Sequence, residues 1–171
     1  MSRGFELIQI DHGDGGILYT VQFSDEDLWE YKKFCQRPRV EGTQAFEDME
    51  ITLDRMIDKR GFAEHFFKIY GPPECAYHKE RLRMYCLRYS SSVLVAGGGG
   101  YKPEEIDGKK VTSLQDVDHL DDAYENIQYV RRRIEERLDL TRSLSPEARG
   151  NCLRLTDESF VGPDEAFVFE P

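Results

Sequence analysis

The chain has 171 residues, 39% of them hydrophobic and 12% aromatic, with 23 Lys plus Arg against 33 Asp plus Glu for a formal net charge of −10. This is a globular composition, long enough for one domain with a sizeable core, and it excludes a disordered polymer. So negative a chain is no general nucleic-acid binder, because phosphate contacts dominate that affinity, yet a local basic patch remains open to it.

No apolar run approaches the roughly 18 residues that a membrane span needs. The start, MSRGFELIQIDHGDGG, lacks the apolar core and cleavage site of a signal peptide. A cytoplasmic protein with no membrane partner is therefore expected. Cys35, Cys75, Cys86 and Cys152 form neither a metal knuckle nor a CxxC motif, and read as reduced thiols. His12, His65, His78 and His119 show no ligand spacing, and no serine sits in a nucleophile elbow, so neither a metal nor a cofactor is expected.

In chain order, Phe5 to Asp11 and Ile17 to Phe23 are apolar-rich runs joined by His12-Gly13-Asp14-Gly15-Gly16, an N-terminal hairpin. Ser24 suits an N-cap, with Asp25, Glu26 and Asp27 behind it, for a helix ending before Pro38. A second helix is expected from Thr43, with Phe46, Met49, Leu53, Met56 and Ile57 at helical spacing, and Gly61 breaking it. Ala63 to Tyr70 reads as a short helix ended by Gly71-Pro72-Pro73.

The most informative stretch is KERLRMYCLRYSSSVLVAGGGGYK, from Lys79 to Lys102. Leu82, Met84 and Cys86 alternate with Arg81, Arg83, Tyr85 and Leu87, the period of a half-buried strand. Ser90 to Ser92 predict a turn, Val93 to Ala96 a second strand, and Gly97 to Gly100 its terminus and a loop. The glycine run lacks the spacing of a phosphate loop. Tyr101 to Lys110 follows as a polar loop. Leu114, Val117, Leu120, Tyr124, Ile127, Val130, Ile134 and Leu138 then predict a long C-terminal helix whose far side is charged. Residues 141–171 read as a linker and an acidic tail beyond a single domain of residues 1–140.

Chemistry concentrates on the basic strand. Arg81, Arg83 and Tyr85 are the candidate catalytic residues, and Lys79, Arg88 and Lys102 the candidate substrate-binding residues, with His78 just upstream. Lys79 to Arg88 is locally +3 (four basic residues and one acid) in a chain of −10. Arginines so placed clamp a phosphate and neutralise charge building on it during RNA cleavage, with Tyr85, His78 or a lysine moving protons. The competing reading pairs these arginines with nearby carboxylates. The tail acids and Phe160 to Phe169 are a candidate mask over the strand.

The order hairpin, helix, helix and then Leu82, Arg83, Tyr85, Arg88, Val93, Leu94, Val95, Gly99 and Lys102 resembles RelE/ParE-superfamily toxins of the HigB or related phage kind. The resemblance covers roughly residues 44 to 135. It implies an α+β fold: a small antiparallel sheet with packed helices, here with an N-terminal hairpin and a long C-terminal helix added. It also implies a metal-independent mRNA endoribonuclease working through Arg81, Arg83 and Tyr85 and held in check by an antitoxin. A non-catalytic protein-interaction module of the same fold is the alternative.

Overall fold

The computed structural model describes residues 3–137, 153–154, 160–161 and 166–171. Strands β1 (Phe5–Gly13) and β2 (Gly16–Phe23) form the N-terminal hairpin. Helices α1 (Glu30–Cys35) and α2 (Gln44–Arg55) follow, the latter continued by a π-helical turn, Met56–Arg60. Then come β3 (Phe67–Ile69), β4 (Glu74–Lys79), β5 (Leu82–Ser90) and β6 (Val93–Tyr101). A small ribbon, β7 (Glu105–Ile106) with β8 (Lys109–Lys110), leads to α3 (Asp118–Glu135). Beyond it lie the short pair β9 (Leu153–Arg154) and β10 (Phe160–Val161), and then β11 (Ala166–Phe169).

The α+β class holds, but the sheet is not small. Seven strands run in the order β11-β1-β2-β6-β5-β4-β3, and β2 pairs with β6 in parallel. The N-terminal hairpin is thus part of the main sheet. Ile17 to Val21 and Val93 to Ala96 are buried on both faces because helices cover both, which is why they read as apolar-rich runs without alternation. On one face, α3 sets Leu120, Ala123, Ile127, Val130 and Ile134 against Tyr85, Leu87 and Val95. On the other, α1 and α2 bring Phe34, Met49 and Leu53 to Met84, Cys86 and Leu94. Cys75 and Cys86 face each other there as buried free thiols.

Three local expectations are corrected. The helix expected from Ser24 begins only at Glu30. The intervening backbone is held otherwise: Gln22 Nε2 donates to the carbonyls of Glu26 and Asp27, and Arg3 clamps Asp25 and Glu26. The short helix expected over Ala63 to Tyr70 is one 3-10 turn and then β3, which gains its ladder from β4, a strand the sequence did not disclose. Leu114 lies in a separate 3-10 turn ahead of α3, and Leu138 lies outside the described residues.

The glycine run is the third correction. Gly97 to Gly100 are not a strand terminus but the interior of β6. Met84 pairs with Gly99 and Cys86 with Ala96, so two residues of β6 oppose Tyr85 alone: a β-bulge. A Cβ on Gly99 would lie 1.9 Å from the Arg83 carbonyl oxygen, and one on Gly100 2.6 Å from the His119 ring.

The tail does not lie over the basic strand where it is described. β11 pairs with β1 at the sheet edge opposite β3, and Arg137 donates to the Val168 carbonyl at 2.8 Å. Residues 142–151, expected as a linker, lie outside the described residues.

The close approach at the bulge sets a measurable cost. Gly99→Ala should lower the free energy of unfolding by about 2 kcal/mol or more in chemical denaturation. Gly71→Ala, where a Cβ meets nothing within 4 Å, should change it by less than about 0.5 kcal/mol.

A cationic cavity as the candidate functional site

Strand alternation places Arg83 and Tyr85 on the α3 side of β5, and His78, paired with Arg83 across the β4–β5 ladder, on that same side. Lys68 and Tyr70 come from β3 and its end, Lys102 from the end of β6, and Tyr124 from α3. With Thr112 to Gln115 they line a cavity of about 490 Å³. Five elements, β3, β4, β5, β6 and α3, thus deliver three cations, an imidazole and three phenols to one place.

Among the described residues no carboxylate lies within 4.0 Å of Lys68, Arg83 or Lys102. Arg83 instead donates to the backbone carbonyls of Glu80 and Leu82 at 2.7 and 2.9 Å, which fixes its fork and leaves its charge uncompensated. Burial and the charge of Arg81 lower its pKa. Lys102 is also lowered, by burial first and then by Arg83, Arg81 and Lys68. His78 Nε2 is buried without a hydrogen-bond partner among the described residues. Burial, Arg83, Lys68 and Lys102 push the His78 pKa down to about 4, so the imidazole is neutral at pH 7.

The three phenols form an aromatic wall. Tyr85 and Tyr124 meet edge to face at 5.5 Å, as do Tyr70 and Tyr124. Burial raises the pKa of Tyr70 and Tyr85 and brings Tyr124 up to about 12, so all three keep their protons at neutral pH. Tyr124 donates to the buried Glu74 at 2.8 Å, and Arg131 neutralises the other oxygen of that carboxylate. This link locks α3 against β4 and sets the wall's position.

The residues expected from sequence separate into two groups. Arg83, Tyr85 and Lys102 meet in the cavity, Tyr85 as its floor at 1% exposure. Arg81 lies beside it and donates through Nε to the Lys102 carbonyl at 2.7 Å, holding that residue's backbone. Lys79 and Arg88 do not line it. Lys79 follows His78 in an extended strand and faces the other way. Arg88 is spent on the Phe62 carbonyl at 2.5 Å and on Glu64 at 3.5 Å. Lys68, Tyr70 and Tyr124 were not singled out. Reading Phe67 to Tyr70 as a strand would have put Lys68 and Tyr70 on one face.

Against known proteins, the chain matches no family model, no curated protein and no solved structure.

The depressed His78 pKa carries a sign. Between about 4 and the ordinary 6.5 the unfolded chain binds a proton that the folded chain does not, so stability falls as pH drops through that window. Between pH 7.5 and pH 5, the melting temperature of the parent should fall further than that of His78→Gln. Equal falls would show that His78 titrates normally. Separately, Glu74→Ala should cost about 2 to 4 kcal/mol in urea unfolding, by leaving Arg131 and Tyr124 without their shared partner.

Proposed function

We propose that the cavity binds a phosphodiester of single-stranded RNA and cleaves it by transfer to the neighbouring 2′-oxygen. The observation that carries this is the convergence of Lys68, Arg83 and Lys102, none with a carboxylate within 4.0 Å among the described residues, around a neutral histidine whose buried Nε2 has no partner among them. Cations left unpaired beside a half-buried base attract an anion and stabilise charge that develops on it. A local cluster of this kind also reconciles RNA with a net charge of −10: the acidic surface elsewhere repels nucleic acid, and the cavity focuses an attractive field at one point.

The roles follow from protonation. His78, neutral, accepts the 2′-hydroxyl proton at Nδ1, its ring nitrogen that is not buried, as the 2′-oxygen bonds to phosphorus. Arg83 and Lys68 neutralise the non-bridging oxygens. Lys102, made a better acid by burial and by its cationic neighbours, donates to the 5′-oxygen as the phosphorus–oxygen bond breaks. The products are a 2′,3′-cyclic phosphate and a 5′-hydroxyl. Tyr70 and Tyr124 offer faces on which a base stacks. Charge compensation comes from side chains, so the chemistry calls for no metal.

An inhibitory partner fits the same frame. The cations that hold phosphate also hold carboxylates, and an acidic segment of an antitoxin seated in the cavity would block it. Without chemistry, the same contact would make the chain an interaction module.

Incubated with single-stranded RNA in a chelator, the parent should generate cyclic-phosphate ends. Arg83→Ala and Lys102→Ala should each slow this at least 100-fold. Cleavage undiminished in Arg83→Ala, or absent in the parent, would refute the proposal. Expression in bacteria should inhibit growth with the same ranking of variants.

A further inference from the structure

We propose that a second cavity, lined by Arg37, Arg39, Tyr101 and His119, is the subsite into which a single-stranded RNA runs on leaving the Arg83 cavity. The proposal rests on the reading of that first cavity as a phosphodiester site. Its own ground is a separate set of observations.

The second cavity measures about 280 Å³ and takes Pro38 and Pro103 as its remaining walls. The Arg39 guanidinium lies 3.6 Å above the centre of the Tyr101 ring and donates to its hydroxyl at 2.8 Å. Arg39 is exposed and takes a positive φ of 65°, in the turn after α1. A guanidinium stacked on a phenol presents its outer plane to a base, and bases of any identity stack on such a platform. Among the described residues neither Arg37 nor Arg39 has a carboxylate within 4.0 Å, so both charges are available to phosphate. The His119 pKa is lowered by burial and Arg37, against the opposing pull of a backbone hydrogen bond at Tyr101 and of Asp118 and Asp122.

The two cavities lie on either side of the end of β6, because consecutive residues there face opposite ways: Tyr101 packs toward the α1/α2 face and Lys102 toward α3. Lys102 lines the first and Tyr101, its neighbour in sequence, lines the second, with about 3.8 Å between their Cα atoms. Arg81 holds this junction from below through the Lys102 carbonyl. A chain of a few nucleotides passing from Arg83 over Lys102 and around the end of β6 to Arg39 would meet cations and aromatic faces in alternation, which is how single strands are held without reading sequence. By contrast, the cavity of about 260 Å³ between α1 and α3 has Lys33 committed to Glu26 and Glu30. That cavity leaves less charge for an outside anion.

Binding is measured with non-cleavable 2′-O-methyl RNA, a dinucleotide and an octanucleotide, on the full chain at two or more salt concentrations. Arg37→Ala/Arg39→Ala should weaken the octamer about tenfold or more and leave the dinucleotide unchanged. The slope of log affinity against log salt should fall by about 1.4, as for two phosphates of a single strand. An unchanged dinucleotide affinity also shows that the double variant is folded. Arg83→Ala should weaken both ligands. If the double variant binds the octamer as the parent does, or if the parent binds octamer no tighter than dinucleotide, the second subsite is wrong while the first cavity stands. If the parent binds neither, both fall. If an acidic octapeptide matches the octamer and depends on Arg37 and Arg39, the cavity belongs to a protein partner and the RNA subsite is overturned.

Discussion

Where β6 passes Tyr85, two glycines occupy the space of one residue, and the backbone of Gly99 comes so close to the Arg83 carbonyl that no side chain fits between them. Most of the cavity's geometry depends on that contact. The bulge twists the end of β6, delivers Lys102 to the α3 side of the sheet and lets His119 approach Gly100. It also leaves the second half of β6 without its β2 neighbour, since that parallel pairing stops at Ala96. Lys102 of the first cavity and Tyr101 of the second come from the end of this half-paired strand.

The electrostatic design is one of separation. Carboxylates are abundant, but they are placed to satisfy particular cations elsewhere: Glu74 with Arg131, Glu26 and Glu30 with Lys33, Asp25 with Arg3, Glu64 with Arg88. Arg83 in the cavity and Arg81 beside it are instead held by backbone carbonyls, which orient them without cancelling their charge. Burial first, and then their cationic neighbours, lower the pKa values of Lys102 and His78, and the mutual repulsion among Lys68, Arg83 and Lys102 is a standing cost to the fold. An anion that enters the cavity relieves it, so binding and local stability are coupled.

The aromatic wall ties the cavity to the core. Tyr85 belongs to the hydrophobic cluster under α3, and Tyr124 reaches Glu74 from the opposite element. A change in how α3 lies on the sheet would therefore move the wall, while the cations come from the strands beneath it. Of the three phenols only Tyr124 belongs to the helical layer, while Tyr70 and Tyr85 share the sheet with the cations.

What the sequence by itself determined is local. The alternation of β5, the turn at Ser91 and Ser92, the Thr43 cap whose hydroxyl accepts from the Phe46 amide, and the apolar stripe of α3 are patterns of period two or 3.6. They follow from backbone geometry within a few residues. Arg83, Tyr85 and Lys102 were legible as one basic-aromatic face for that reason. Tertiary structure decided the rest. β3 is strand only because β4 lies beside it, and Gly97 to Gly100 are strand only because β5 supplies a ladder and α3 a roof. Arg88 left the site because Phe62 and Glu64 sit within its reach, and Lys68 joined it from a segment read as helix. Such outcomes depend on partners distant in sequence, and no local period encodes which of them will meet.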